Sequence, residues 1–288
     1  QTKYQFTFIM KKTFFLAGFA LLASLIFVSC DSKKPAANVE EQATVITDSV
    51  KMQAIELFKT VKFENDIILQ EIEVLPQGIR IVPVKYFLPL EWADKAQTVE
   101  QKCAMLGCYT VDAQYDKLVY GSNNSPKERR AVIAKLFAEA NVATDASTLD
   151  SIAALEREDY IKGVQEFTLK NFEEALENNQ ADNQVVVLLY SLVETTLDQE
   201  YANEQRGEYD QMAMINDMKK GEKAMKSVVE LIKLLSPYYE SLNTLVPVTE
   251  KIQAVLDAQD EGRKDEAYMN YNNYIKELRG KLNASVGE

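Results

Sequence analysis

The chain has 288 residues, of which 47% are hydrophobic and 26% are charged, a composition that can bury a sizeable core and is not that of a disordered or fibrous protein. It contains no histidine, which excludes a Ser-His-Asp triad, a Cys-His pair and histidine-ligated zinc or haem. The net charge of -12 disfavours nucleic acid and anionic lipid surfaces as main partners.

The N-terminal segment has the features of an export signal. Two adjacent lysines precede an uncharged, almost wholly apolar run of 17 residues, 13–29, and Cys30 follows it directly. Positive charge before such a run directs a chain into the translocation machinery. We therefore expect a signal peptide over residues 1–29, with Met10 as the natural start and residues 1–9 as an over-extended start.

The residues around Cys30 resemble a bacterial lipobox. The sequence Phe-Val-Ser-Cys at 27–30 places apolar and small residues before the cysteine, although Phe27 stands where leucine is usual, and a polar stretch follows at 31–38. The resemblance implies that Cys30 is diacylated and that residues 30–47 form a flexible tether. The N-terminal lipid would then hold the chain to the outer or inner membrane of the cell envelope, facing the periplasm. The alternatives are an uncleaved transmembrane anchor, for which this run is barely long enough, and ordinary secretion.

Residues 48–288 predict a single helical domain. Apolar residues recur at helical spacing over 48–72, whereas the prolines and glycine of 76–88 indicate a short extended segment. From Leu90 to Tyr120 the helical period returns without a proline, which predicts one long helix.

Two cysteines, Cys103 and Cys108, fall inside this predicted helix. The compartment that an export signal implies would permit a disulfide. Five residues along one helix nevertheless place the two thiols beyond disulfide reach, so we expect two small buried side chains rather than a bridge.

The second half of the chain adds further helices. Residues 185–193 are apolar on nearly every side, which predicts a helix surrounded by other helices, with a buried strand as the alternative. A connection bracketed by Gly207 and Gly221 is expected before a helix over 223–235. Residues 246–256 and 264–282 predict a closing antiparallel pair. The fold class is therefore all-α, an up-and-down bundle or array of about eight helices.

No sequence motif predicts a catalytic or cofactor site. Glycine-rich phosphate loops are absent from the sequence, and without histidine a metal site needs carboxylates alone. Acidic groups at 156–159 and 173–177 are typical of a solvated helix face, with weak calcium binding as the alternative. We therefore expect no catalytic residue, no resident metal and no cofactor.

One segment, 106–115, stands apart because it has the pattern Leu-Gly-x-Tyr-x-x-Asp-x-x-Tyr. Its helical spacing places Tyr109 and Tyr115 on either side of Asp112, and Gly107 allows another helix to approach closely. A buried Asp112 needs hydrogen-bond donors, for which these two tyrosines or tyrosines of facing helices are the candidates. The segment predicts a structural network; a small ligand pocket around Asp112 is the alternative.

Together with the lipobox, this pattern resembles a group of helical lipoproteins common in Bacteroidetes. The resemblance extends from residue 82 to the C-terminus, and Cys108 is not part of it. It implies an all-α fold and an envelope location, and no particular activity. A second resemblance, to tetratricopeptide repeats, covers 262–278 with an echo at 171–176. Because these two copies are 93 residues apart, which is not a multiple of about 34, we expect a coincidence.

These features favour a non-catalytic binding or assembly module of the cell envelope, with an envelope protein or a glycan as partner and no nucleic acid. Two alternatives stay open: a carboxylate-based envelope enzyme such as a glycoside hydrolase, and a tetratricopeptide-like scaffold. A deep cleft with two facing acids of raised pKa would favour the enzyme, whereas isolated surface acids would favour the binding module.

The lipobox resemblance predicts the outcome of one substitution. Cys30→Ser, expressed in the native host, is expected to leave uncleaved precursor, because the cysteine is the residue that carries the lipid. Gel mobility and N-terminal sequencing of the membrane fraction check this result. A variant that is processed like the parent and stays bound to the membrane would contradict the prediction.

Overall fold

The structure, a computed structural model, describes residues 45–72, 86–120, 127–142, 146–206 and 211–287. Within these ranges the chain forms nine α-helices, two short 3₁₀ helices and no β-strand, which confirms the predicted all-α helical array. The 3₁₀ helices span Leu90–Lys95 and Glu240–Leu245. The α-helices, in chain order, are α1 (Asp48–Ile72), α2 (Val99–Tyr120), α3 (Lys127–Glu139), α4 (Ala146–Ala153), α5 (Arg157–Glu177), α6 (Ala181–Arg206), α7 (Gln211–Leu235), α8 (Val246–Asp260) and α9 (Lys264–Val286).

Several sequence predictions fall outside the described residues. These are the signal peptide over 1–29, the lipidated Cys30, the tether up to residue 44, and residues 76–85 of the expected extended segment. No helix in the described part of the chain is both long enough and apolar enough to cross a membrane.

Helix α6 lies at the centre of the array. It contacts α1, α2, α5, α7 and α9, and within 185–193 every residue except Tyr190 is buried. Neighbours therefore cover this helix on nearly all faces, as the continuous apolar run predicted. The alternative of a buried strand is wrong, because strong helix formers downstream extend the run into a helix of 26 residues.

The last two helices form the predicted closing pair. Helices α8 and α9 pack on one another and are joined by a tight turn in which Gly262 has a φ of 81°. Glycine suits this turn because it has no Cβ to clash in the left-handed region. The end of α9 is tied to the residues before α2, since Lys95 Nζ donates to the Gly287 carbonyl at 3.1 Å.

Helix α2 begins at Val99 and not at Leu90, where the sequence pattern placed its start. Thr98 and Gln101 form a capping box. The Gln101 N–H donates to Thr98 Oγ1 and the Thr98 N–H donates to Gln101 Oε1, and both donor–acceptor distances are 3.1 Å. This exchange satisfies backbone donors that the first turn of a helix otherwise leaves unpaired. The apolar spacing continues through the preceding 3₁₀ helix, so periodicity alone did not separate the two elements.

Two further boundaries differ from the predictions. Helix α7 begins at Gln211, so Gly221, expected in a connection, lies inside the helix. A Cβ on Gly221 would meet Ile68 Cδ1 of α1 at 3.8 Å, an ordinary contact, so this glycine does not mark a turn. The chain also leaves the helical path at 154–156, between α4 and α5, which adds one helix to the expected number.

Helices α2 and α6 approach each other at Gly107. A Cβ on Gly107 would lie 2.5 Å from the Val187 carbonyl oxygen and 2.9 Å from the Ser191 nitrogen, closer than real Cβ atoms come to backbone. Ser191 Oγ lies 3.2 Å from the Gly107 carbonyl oxygen across this contact and 2.9 Å from the Val187 carbonyl oxygen of its own helix, and its one proton is shared between these two acceptors. The expectation that Gly107 admits another helix is therefore confirmed. Cys103 and Cys108 of α2 are buried and free, also as expected.

The close approach predicts that Gly107→Ala lowers the free energy of unfolding by about 1–3 kcal/mol, because the added methyl forces two backbones apart. Gly280→Ala in α9 is the matched control, since a Cβ there would meet nothing within 4 Å. The control is expected to raise stability by up to about 1 kcal/mol, the ordinary helix preference for alanine. Urea unfolding of both variants is the measurement; equal effects of the two substitutions would contradict the prediction.

Candidate functional site

Tyr109, Asp112 and Tyr115 are all buried on α2, and each contacts a different residue of the preceding segment 87–89. Tyr109 Oη donates a hydrogen bond to the Pro89 carbonyl at 2.6 Å. The Leu88 N–H donates a hydrogen bond to Asp112 Oδ2 at 3.2 Å. The rings of Tyr115 and Phe87 pack edge to face, with their centroids 5.8 Å apart. The motif therefore fastens this segment onto α2.

The predicted donor to Asp112 needs correction. The single hydroxyl proton of Tyr109 is used by the Pro89 carbonyl, so it is not given to Asp112. The charged partner of Asp112 is Arg129 of α3, whose Nη1 donates to Asp112 Oδ2 at 2.8 Å. Spacing within α2 correctly suggested that the aspartate is buried, but a helix periodicity contains no information about a partner on the next helix.

Arg129 also lies close to a second acid, Asp116, and to the ring of Phe87. Its Nε lies 3.6 Å from Asp116 Oδ2, and its guanidinium lies 5.0 Å from the centroid of the Phe87 ring. Arg129, Asp112 and Asp116 are all buried. Removing one partner from such a group would leave an uncompensated charge in the interior, so the residues depend on each other.

Two acids of α6 face this group. Glu194 and Asp198, one turn apart, are each 1% exposed. Arg279 of α9 donates to the Glu194 carboxylate through Nε at 2.5 Å and Nη2 at 3.3 Å. One carboxylate oxygen from each of Asp112, Glu194 and Asp198 lies within 4.8 Å of the other two. These three residues are termed the acidic cluster below; among the described residues they are the group whose ligand atoms converge closely enough to hold a metal ion.

The surroundings of the acidic cluster disfavour the ionised form of its two aspartates. Burial raises the pKa of Asp112 and of Asp198 well above the usual aspartate value, and the nearby Glu194 carboxylate raises both further. Arg129 and Arg279 act on both in the opposite direction. Neither oxygen of Asp198 has a hydrogen-bond partner within the described structure, and Asp112 Oδ1 has none either. Three buried carboxylate oxygens are therefore left without a donor.

Sequence reasoning missed Glu194 and Asp198. It treated the residues after 193 as helix formers, and it weighed the acids at 156–159 and 173–177, which are mostly exposed as a solvated face should be. A usable pattern was present: the two acids lie four residues apart on the continuation of a helix that is apolar on every side. Carboxylates in such a position are buried with the rest of the helix.

A separate cavity of about 100 Å³ is lined by residues of helices α1 to α6. None of the three acidic-cluster residues lines it. Most of its wall is apolar, and prominent apolar residues are Ile133, Phe137, Leu149, Ile152, Phe167 and Leu188.

Two nitrogen donors of the cavity wall have few acceptors. Lys117 Nζ donates to the Ala153 carbonyl at 3.0 Å, and Asn171 Nδ2 is buried without a hydrogen-bond partner in the described part of the chain. Burial lowers the pKa of Lys117, because the ammonium is poorly solvated where it lies. The cavity thus joins an apolar interior to hydrogen-bond donors.

No protein-family model, curated protein or solved structure significantly matches this chain. The resemblance to helical lipoproteins therefore rests on the lipobox and on the pattern at 106–115. Among the described residues, the acidic cluster and the cavity are the candidate sites.

Asp112 and Asp198 are predicted to respond to substitution in opposite directions. Asp112→Ala leaves the Arg129 guanidinium and the Leu88 N–H without this acceptor, and we expect it to lower the free energy of unfolding by about 1–3 kcal/mol. Asp198→Asn replaces a buried carboxyl group that has no hydrogen-bond partner with a neutral amide of nearly the same shape. In chelator-treated protein at pH 8 we expect it to raise stability by about 1–3 kcal/mol.

The difference in stability between Asp198→Asn and the parent is also expected to grow with pH. A carboxyl whose pKa is raised by folding stabilises the protein below its unfolded pKa, and this contribution is lost as pH rises through the folded pKa. Asparagine does not titrate, so the variant escapes that loss. Thermal unfolding of both proteins between pH 5 and 8, in chelator, checks this; a constant difference would contradict it.

Proposed function

We propose that this protein is a lipid-anchored, non-catalytic binding module of the cell envelope that takes a small amphipathic anion into the cavity lined by α1 to α6. The observation that carries the ligand class is the ammonium group of Lys117, which lines an otherwise mostly apolar cavity and forms no ion pair with a described residue. The envelope location and the lipid anchor are supported by the N-terminal export signal and by the lipobox resemblance at Cys30.

Lys117 favours an anionic ligand group. Its ammonium has three donors, and the Ala153 carbonyl accepts from one of them. The ring centroid of Tyr160 lies 5.4 Å from Nζ and gives a further weak attraction. The Glu156 carboxylate acts on Lys117 through its charge but forms no ion pair with it. A carboxylate bound in the cavity would add charge-assisted hydrogen bonds to the remaining donors.

Asn171 of α5 provides a second hydrogen-bond donor on the cavity wall. Its Nδ2 lines the cavity, is buried, and has no acceptor among the described residues. An unpaired buried amide of this kind costs about 1–3 kcal/mol, which a bound acceptor would recover. Cation and amide together specify a small acid rather than a hydrocarbon.

The volume of the cavity limits the apolar part of the ligand. At about 100 Å³ it is smaller than the 150 Å³ engineered cavity that binds benzene. The space therefore fits a short or branched acyl group and excludes a long lipid chain or a saccharide unless side chains move. We accordingly propose a short-chain carboxylic acid as the ligand class.

The acidic cluster does not favour the alternative of a glycoside hydrolase. Its acids have raised pKa values and face one another, but Asp112, Glu194 and Asp198 are all completely covered by protein. A saccharide must bring its glycosidic oxygen into contact with such a pair, and a buried pair is out of its reach. An envelope protein or glycan as a further partner stays a prediction of the sequence.

Binding of short acids tests the proposal. Calorimetric titration with straight and branched carboxylates of three to eight carbons is expected to show binding, tighter than that of the matched alcohols. Lys117→Met is expected to weaken carboxylate binding about tenfold or more and to leave alcohol binding nearly unchanged, because it removes a charge-assisted bond.

Ala113→Leu is the companion variant, because Ala113 lines the cavity and a larger side chain there fills it. It is expected to weaken binding of acids and alcohols alike while the protein stays folded. Absence of binding by every acid at millimolar concentration would contradict the proposal. So would a Lys117→Met variant that binds the acids like the parent.

A further inference from the structure

We propose that Asp112, Glu194 and Asp198 bind a hard divalent cation, Ca²⁺ first among them, inside the helical array. One carboxylate oxygen from each residue lies within 4.8 Å of the other two. Two oxygens on opposite sides of a calcium ion are about 4.8 Å apart, because each lies about 2.4 Å from the metal. The three oxygens are thus already close enough to share one ion. The site is independent of the anion cavity, whose walls contain none of these residues.

Asp198 supplies the observation that separates this site from an ordinary group of acids. It is 1% exposed, and neither of its carboxylate oxygens has a hydrogen-bond partner in the part of the chain that the structure describes. Its side chain converges on the oxygens of Asp112 and Glu194. Asp112 Oδ1 is likewise buried without a hydrogen-bond partner among the described residues. Buried carboxylates without hydrogen-bond donors are rare in folded proteins. A bound cation would satisfy these oxygens by coordination, without any hydrogen-bond donor.

Asp66 shows how this chain treats a buried aspartate that needs no ion. Its Oδ1 accepts from Lys62 Nζ and from Gln114 Nε2, and its Oδ2 accepts from Gln165 Nε2 at 2.9 Å. Asp66 and Asp198 are buried to nearly the same degree. Both oxygens of Asp66 are satisfied by side chains on three helices, whereas those of Asp198 receive no donor. The difference points to a partner of Asp198 that is not an amino acid.

The charge balance of the surrounding interior has the same implication. With every group ionised, the acids there outnumber the bases by two, and all six side chains are buried: the acids are Asp112, Asp116, Glu194 and Asp198, and the bases are Arg129 and Arg279. A single divalent cation neutralises this excess. The two arginines hold Asp112 Oδ2 and the Glu194 carboxylate in place, while Asp112 Oδ1 and both Asp198 oxygens are the atoms left for an ion.

The donor set selects the class of cation. All three ligands are carboxylates, and the chain has no histidine to add an imidazole. Carboxylate oxygens suit Ca²⁺, Mg²⁺ and Mn²⁺, whereas Zn²⁺ and copper ions prefer nitrogen or sulfur. Water molecules would complete the coordination, as they do around Mg²⁺ in sites with few protein ligands.

The test uses the full chain in detergent, unfolded and refolded in chelator and then dialysed free of it. Addition of 1 mM CaCl₂ at pH 7.5 is expected to raise the unfolding midpoint by about 5 °C or more, with a one-to-one calorimetric binding curve. MgCl₂ and MnCl₂ are titrated in parallel, and the ion with the largest shift identifies the preferred cation. Absence of both a midpoint shift and binding heat with all three ions would overturn the proposal.

Asp198→Asn is the decisive variant. It is expected to fold, and to be more stable than the parent in chelator, while losing at least nine-tenths of the ion-induced midpoint shift. Misfolding therefore cannot account for the loss. Asp66→Asn is the matched control, a buried aspartate outside the cluster, and is expected to keep the shift of the parent even if its own midpoint falls.

Two other results would refute the site. An Asp198→Asn variant with the full ion response would place the ion elsewhere in the protein. A parent that gains stability on acidification and does not respond to any of the three ions would show that the acidic cluster holds protons in place of a cation. Neither result bears on the anion cavity, whose ligands are tested at constant ion concentration with different variants.

Discussion

The contact between the backbones of α2 and α6 at Gly107 is the constraint on which both sites depend. With no side chain on Gly107, the two backbones approach closely enough that a Cβ there would meet the backbone of Val187 and Ser191, and the Ser191 hydroxyl lies within hydrogen-bond distance of the Gly107 carbonyl. The side chains that leave this contact on either side then have fixed separations. Residues of α2 and α6 near this contact line the cavity. Further along the same two helices, carboxylate oxygens of Asp112 and Glu194 lie within 4.8 Å of each other. A wider contact between α2 and α6 would move apart the cavity residues of the two helices, and it would also move Asp112 away from Glu194.

The buried charges decide which helix lies beside which. Arg129 connects α3 to the acids of α2, and Arg279 connects α9 to Glu194 of α6. Buried ion pairs add little net stability, because desolvation of both partners offsets most of their attraction. A helix of the wrong kind in either place would, however, leave two or more carboxylates without a counter-charge. The arginines thus act mainly against alternative arrangements of an array whose apolar faces are otherwise similar.

The two proposed sites share one property: each contains buried polar groups whose hydrogen-bonding capacity is partly or wholly unused. In the cavity these groups are the ammonium of Lys117 and the amide of Asn171, and in the acidic cluster they are the oxygens of Asp198. Asp66, by contrast, is a buried aspartate whose two oxygens both accept hydrogen bonds. Natural proteins break a local rule mainly where a ligand is bound, since the ligand supplies what the fold omits. The two ligands we propose are opposite in charge, and the residues proposed to bind them lie in separate parts of the array.

The sequence by itself determined the all-α class, the central position of α6, the closing pair α8 and α9 and the close contact at Gly107. Each of these follows from local information: the period of apolar residues, an unbroken apolar run, or the absence of a Cβ. The sequence also contains the Thr98 and Gln101 capping box that marks the start of α2, but the apolar period continues across it and placed the start of the helix too early. Only the tertiary structure decided the partners of Asp112, because Arg129 lies 17 residues away and the Arg279 and Glu194 pair beside it is separated by 85. Periodicity tells which face of a helix is buried; which neighbour covers that face depends on how all the helices pack together, and the acidic cluster exists only at that level.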